Sequence, residues 1–228
     1  MRVQTIEFIN DFLAKERSFF YSEEEIQLRL AQHLMNKTFD NEPFYDDVFV
    51  EYCVDTKNIK ELHNLWNNKK ISIDIVLRKG KDYLPIELKY KKCKESFEGI
   101  NVLGSIKTVE LREQSAQNEG CYSFWKDVKR MEIITHAFKL KETGLVLFVT
   151  NDKSYETVHR EGVQYGPFSI HEGKVVAKDD ELDWGSKIKP ISDDREKKFP
   201  KFKIRNNYKI NWKTTGIKGH KYIKYILV

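Results

Sequence analysis

The stretch ISIDIVLRKGKDYLPIELKY, positions 71–90, constrains this chain more than any other. Two aliphatic, β-branched runs flank Gly80-Lys81, and a Gly-X pair is a favoured two-residue hairpin loop because glycine accepts positive φ. Strand side chains alternate between faces. Ile71, Ile73, Ile75 and Leu77 are therefore expected on one face of the first strand, with Ser72, Asp74 and Val76 on the other. In the second strand Leu84, Ile86 and Leu88 share one face, and Pro85, Glu87 and Lys89 share the other. Folding about the loop sets Leu77 opposite Leu84, Ile75 opposite Ile86 and Ile73 opposite Leu88; the same register sets Asp74 opposite Glu87.

Directly opposed side chains stand about 4.5–5.5 Å apart at Cβ, and two carboxylates so placed repel each other. A divalent cation between them relieves that repulsion, and Mg2+ favours carboxylate and water oxygens. Lys89, two residues from Glu87 on the same face, adds a point charge suited to a phosphate or an attacking water. The plainer alternative is that all three are ordinary polar residues of a half-buried hairpin.

Around this hairpin the periodicities alternate between helix and strand. Residues 3–16 place Ile6, Phe8, Ile9, Phe12 and Leu13 at helical spacing. Ser22, with Glu25 three residues on, forms a capping box for a helix reaching about Asn36 that buries Ile26, Leu30 and Leu34. Residues 44–54 read as a strand, 57–70 carry no clear pattern, and 96–113 read as a helix. A further helix over 122–140 carries the stripe Phe124, Val128, Met131, Ile134 and Phe138. Gly144 breaks it ahead of a buried strand at 145–150. Short strand-like runs follow at 167–170, 174–177, 202–212 and 222–228. The expected organisation is an α/β core over residues 1–152, with a β-rich, basic extension over 153–228 packed on the same domain.

Charge is spread unevenly along the chain. Residues 195–228 hold eleven Lys or Arg against the single acid Glu196, a net +10, which leaves −5 for residues 1–194. That asymmetry points to an anionic partner, nucleic acid first. The run Lys91, Lys92, Lys94 at the end of the Glu87 strand suits phosphate contacts, which anchor without specifying sequence. In the tail, Phe199, Phe202, Tyr208, Trp212, Tyr222 and Tyr225 interleave with cations. Such aromatics either stack on bases or fill the core of a β structure, the commoner role. Asp127 and Arg130, three apart on a helix, read as a surface ion pair, the alternative being that Arg130 faces substrate.

Several classes are disfavoured. Cys53, Cys93 and Cys121 form no CxxC pair, so neither a disulfide framework nor a structural zinc site is expected. The six histidines show no ligand spacing, and no GxxxxGK[ST] loop is present for a nucleotide cofactor. No run approaches the roughly 20 apolar residues of a membrane helix. MRVQTIEFIND has no apolar signal core, which leads us to expect a cytoplasmic protein.

Asp74 in one strand, with Glu87-Leu88-Lys89 ending the next, resembles the motif of the PD-(D/E)XK nuclease superfamily. The helix opened by Ser22-Glu23-Glu24-Glu25-Ile26-Gln27 matches the helical glutamate many members carry. YSFWKDVKRMEIITHAF followed by GLVLFVTND is similar to the helix–strand pair of uncharacterised bacterial members. The resemblance spans roughly residues 20–152. It departs in one place, since Ile73 stands where the motif has proline. It implies a restriction-endonuclease-like mixed β-sheet core flanked by helices, and a restriction- or repair-type endonuclease acting on DNA. It further implies that Asp74, Glu87 and the backbone carbonyl of Leu88 hold Mg2+, or Mn2+ in its place. Lys89 would position or activate water. Glu23, with Glu24 and Glu25 as alternatives, would assist from the helix. A homodimer would suit duplex cleavage. The rival expectation is an inactive nucleic-acid-binding or protein-interaction module on the same fold.

Overall fold

The computed structural model describes residues 1–16, 19–67, 70–114, 116–158, 162–184, 192–217 and 223–228. His159, His220 and Tyr222 lie outside the described residues. Helices α1 (Arg2–Lys15) and α2 (Glu23–Met35) come first. A two-residue ribbon, β1 (Thr38–Phe39) and β2 (Glu42–Pro43), leads into β3 (Asp47–Asp55) and the short helix α3 (Lys60–Trp66). The hairpin β4 (Lys70–Lys79) and β5 (Asp82–Lys91) follows, and then a second hairpin, β6 (Glu95–Val102) and β7 (Ser105–Leu111). The long helix α4 (Gln117–Ala137) precedes β8 (Leu145–Thr150). The remainder comprises β9 (Val175–Val176), β10 (Glu181–Leu182), helix α5 (Asp193–Lys198), β11 (Phe202–Lys203), β12 (Tyr208–Lys209), β13 (Lys213–Thr214) and β14 (Lys224–Leu227).

Six strands form one mixed sheet in the order β13-β14-β8-β5-β4-β3. Only the β5–β8 pair is parallel; the other four pairings are antiparallel. A parallel pair needs a crossover, and the chain between these strands supplies the β6–β7 hairpin and α4. The C-terminal segment is part of the sheet, because β14 pairs with β8 and carries β13 outside it. Strands β9 to β12 form two small ribbons, β9 with β12 and β10 with β11.

Alternation along the buried strands builds two cores, one on each face. Leu145, Leu147 and Val149 of β8, with Ile86, Leu88 and Tyr90 of β5, pack against Ile9, Leu13, Ile26 and Leu30 of α1 and α2. Val146 and Phe148 point the other way, to Phe124, Trp125, Val128 and Met131 of α4. Phe199 and Phe202 belong to that second core, Tyr208 and Trp212 pack against it, and Tyr225 joins the α1–α2 core. The tail aromatics outside the masked positions are thus structural and do not form a stacking platform for bases. Lys197, Lys198, Lys201, Lys203, Lys209 and Lys213 remain exposed around them. Among the described residues no helix is long and apolar enough to cross a membrane.

Three expectations are corrected here. The strand-like run expected at 167–170 instead carries the end of a 3-10 turn, Gly166–Phe168, which Gly166-Pro167 favours over a strand. Residues 96–113 form a hairpin, not a helix. Gly99 and Gly104 weaken a helix there, while Leu103 (φ 52°) and Gly104 (φ 82°) supply the left-handed pair of a tight two-residue turn. Phe97 anchors the hairpin by stacking on Phe19, with ring centroids 4.0 Å apart. Phe138 lies one residue past the end of α4 and is half exposed, so the buried stripe stops at Ile134.

Gly144, at the entrance to β8, shows how tightly α4 and the hairpin close on each other. A Cβ at this position would stand 2.8 Å from Pro85 Cγ, 2.9 Å from the Pro85 carbonyl oxygen and 2.9 Å from Met131 Sδ. The carbonyl belongs to β5 and has little freedom to retreat. Gly144→Ala is therefore expected to destabilise the fold by about 1–3 kcal/mol, seen as a melting temperature several degrees lower by circular dichroism.

Candidate active site

The β4–β5 ladder has the expected register, from Lys79↔Asp82 through Leu77↔Leu84 to Ile75↔Ile86. Gly80 turns it with φ 61°. The paired ladder ends at Ile75↔Ile86, whereas β5 runs on beside β8 through Glu87↔Val146 and Lys89↔Phe148 to Lys91↔Thr150. Ile73 and Leu88 do not pair as expected. Carboxylates take over where the ladder stops. The Leu88 amide donates to Asp74 Oδ2 at 2.5 Å, and the Tyr90 amide donates to Glu23 Oε2 at 2.5 Å. A buried amide left unpaired costs free energy comparable to a lost hydrogen bond. These two side chains therefore satisfy the strand edge and are held in place by it.

A second irregularity sits on the other side of β4. The β3–β4 register is constant, yet the Glu51 and Asp74 level is skipped between Val50↔Ile75 and Tyr52↔Ile73. Glu51 has φ 51°, in the left-handed region. The strict alternation expected along β4 breaks here: Ile71 and Ile73 enter the α4-side core, but Ile75 and Leu77 enter the α2-side core. Gln27 of α2 stitches the break, donating to the Asp74 carbonyl at 2.7 Å and to Glu51 Oε1 at 2.8 Å. Ser72 Oγ donates to Glu51 Oε2 at 2.7 Å.

Helix α2 is set by its first turn. Ser22 caps it by accepting the Glu25 amide at 3.2 Å, a contact of about 1 kcal/mol. Glu25 accepts the Tyr21 amide at 2.7 Å and pairs with Arg29. Glu24 is exposed. Glu23 is left facing the strands, with Oε1 3.6 Å from Lys89 Nζ.

The Asp74 and Glu87 carboxyls come together, although the two residues are not paired in the ladder as expected. Burial raises the pKa of both, and that of Glu87 most, against a partly compensating Arg130. Glu87, the more deeply desolvated carboxyl, is the more readily protonated of the two. Glu23 is also raised by burial, in spite of Lys89 and the Tyr90 amide. For Lys89, burial pulls the pKa down, but Asp127, Glu23, Glu87 and Asp74 together lift it to about 12. In the metal-free site Lys89 is therefore held as the ammonium, placed to orient a water or stabilise a phosphate.

Two further residues complete the site. Asp127, expected as half of a surface ion pair, is 3 % exposed, and its Oδ2 lies 3.7 Å from Lys89 Nζ. Arg130 binds Asp127 Oδ1 at 3.0 Å and places Nη2 3.1 Å from Glu87 Oε1. The latter is an ion contact without hydrogen-bond alignment, so Glu87 Oε1 stays buried with no hydrogen bond, as do Asp127 Oδ2 and Arg130 Nε. The sequence signal for this role was present. Asp127 directly precedes Val128 of the buried stripe, and a carboxylate at the margin of such a stripe needs a buried cation.

The expected basic run divides. Lys92 Nζ donates to the Tyr21 carbonyl at 2.7 Å, which makes it structural, while Lys94 is exposed and Lys91 half-buried. Among the described residues no cluster of three or more His, Cys, Asp or Glu forms a closed metal cage. The donors at Asp74 and Glu87 do fit a hydrated divalent ion. Mg2+ keeps several waters and takes one or two protein carboxylates, and the unsatisfied Glu87 Oε1 is an oxygen such an ion accepts. Compared with protein-family models, curated proteins and solved structures, the chain shows no match.

Raised carboxyl pKa values have a defined consequence for stability. The folded pKa of Glu87 lies well above its ordinary value, so its ionisation costs folding free energy. That cost accumulates as pH rises above the unfolded pKa, about 4.3, towards the folded one. Without metal, Glu87→Gln should melt at the same temperature as wild type near pH 4 and increasingly above it as pH rises past neutral. A difference that stays constant across that range would contradict the protonation assigned to Glu87.

Proposed function

We propose that the chain is a Mg2+-dependent nuclease hydrolysing phosphodiester bonds of DNA, of restriction or repair type, on a restriction-endonuclease-like core of the PD-(D/E)XK kind. One observation carries this reading: the half-buried Asp74 and the buried Glu87 bring their carboxyls together where the β4–β5 ladder ends, with the protonated Lys89 beside them. A mixed sheet flanked by helices supports it.

Asp74, Glu87 and the Leu88 backbone carbonyl would hold the ion, with Mn2+ an acceptable substitute. Once bound, the ion polarises the phosphate and lowers the pKa of a coordinated water. Asp74 is oriented for this by the Leu88 amide. Glu87 would bind the ion as the carboxylate, and Arg130, 3.1 Å away, would stabilise that charge. Lys89 points its ammonium between Glu23 and Asp127, where it can turn towards a phosphate oxygen or the attacking water. Glu23 restrains Lys89 and would assist the ion through a water. A homodimer is the arrangement that delivers two cuts to a duplex, and the proposed place of action is the cytoplasm.

Plasmid, single-stranded DNA and RNA incubated with Mg2+, Mn2+ or EDTA provide the test. Wild type should cut only with metal. Asp74→Ala should abolish cleavage, and Lys89→Ala should slow it by about 10²–10³, the usual effect of losing one aligned electrostatic contact. If wild type cuts none of these with either metal, the site belongs to an inactive nucleic-acid-binding or protein-interaction module.

A further inference from the structure

Lys89, Lys91, Lys126 and Arg130 gather around Glu23, Asp74, Glu87 and Asp127, with Glu119 near Lys91. Lys89 and Arg130 are engaged in ion pairs with Glu23, Asp127 and Glu87. Among the described residues Lys91 and Lys126 form no ion pair. Lys91 follows Lys89 on the same face of β5, level with Thr150 of β8. Lys126 precedes Arg130 by one turn of α4, its Nζ 5.3 Å above the Trp66 ring. One therefore stands on the strand wall and one on the helix wall of the same opening. Both are half-buried, and burial followed by a neighbouring cation, Lys89 for Lys91 and Arg130 for Lys126, lowers the pKa of each. Half-buried ammonium groups without an acid partner are costly, and an anion is what compensates them.

Lys91 lies past Lys89 along β5, and Lys126 lies one turn before Arg130 along α4, so each stands beyond the cation that contacts the site carboxylates, on its own wall. We infer that Lys91 and Lys126 form an anion subsite for phosphates flanking the one cleaved, which makes the substrate a nucleic-acid strand and not a small phosphoester. This inference rests on the nuclease reading and adds to it the residues that hold the strand.

Binding, not turnover, tests it. Fluorescence anisotropy with labelled single-stranded and duplex DNA, and with RNA, is followed over a salt series with Ca2+ replacing Mg2+. Wild type is compared with Lys91→Ala, Lys126→Ala and Lys126→Arg, each first shown by circular dichroism to melt as wild type does. Loss of one phosphate contact should reduce the slope of log K against log salt by about 0.7–0.9 for each alanine variant, and Lys126→Arg should restore it. Slopes unchanged in both alanine variants, with wild type still binding, overturn the subsite alone. A wild type that neither binds nor cuts any nucleic acid overturns the nuclease reading and the subsite together.

Discussion

The site depends on an interrupted ladder. Strands β4 and β5 pair through Ile75↔Ile86 and then part, while β5 stays anchored to β8. Two amides on β5, of Leu88 and Tyr90, would be left buried without acceptors. Asp74 and Glu23 supply the oxygens. Each carboxylate is thereby fixed by backbone, which holds position more rigidly than a contact between two flexible side chains.

Helix α4 acts as the second wall. Its apolar stripe binds it to β8 through Val128, Phe124 and Phe148. That packing carries Asp127 and Arg130 into contact with Lys89 and Glu87. Farther along the helix, Glu132 accepts the amides of Arg205 and Asn206 and the Tyr208 hydroxyl. The C-terminal segment is thus tied to the same helix that lines the site. The tail contributes strands and core, and Lys197, Lys198, Lys201, Lys203, Lys209 and Lys213 stay exposed around them.

Electrostatics in the opening run against ordinary stability. Three carboxyls, Glu23, Asp74 and Glu87, are raised by burial, and the cations that offset this do so only in part. A fold selected for stability alone would replace such groups with apolar residues. The unsatisfied atoms of Glu87, Asp127 and Arg130 lie in the same place.

Much of this was legible before any coordinates. The Gly80-Lys81 turn and apolar matching fixed the hairpin register, because a one-residue slip would expose every aliphatic side chain. Ser22 with Glu25 identified the start of α2, and the stripe on α4 identified its buried face. Three things lay beyond the chain's own pattern. Alternation along β4 reverses at Asp74, because Glu51 on a neighbouring strand takes a left-handed conformation. Residues 96–113 pair as a hairpin whose anchor is Phe19, a partner far off in sequence. Asp127 and Arg130 belong to the site because α4 packs over β5 at one height and rotation. Local propensity and spacing decide elements and register, since those interactions span a few residues. Which carboxylates share one opening is decided by packing between elements distant in the chain, and periodicity carries no information about that.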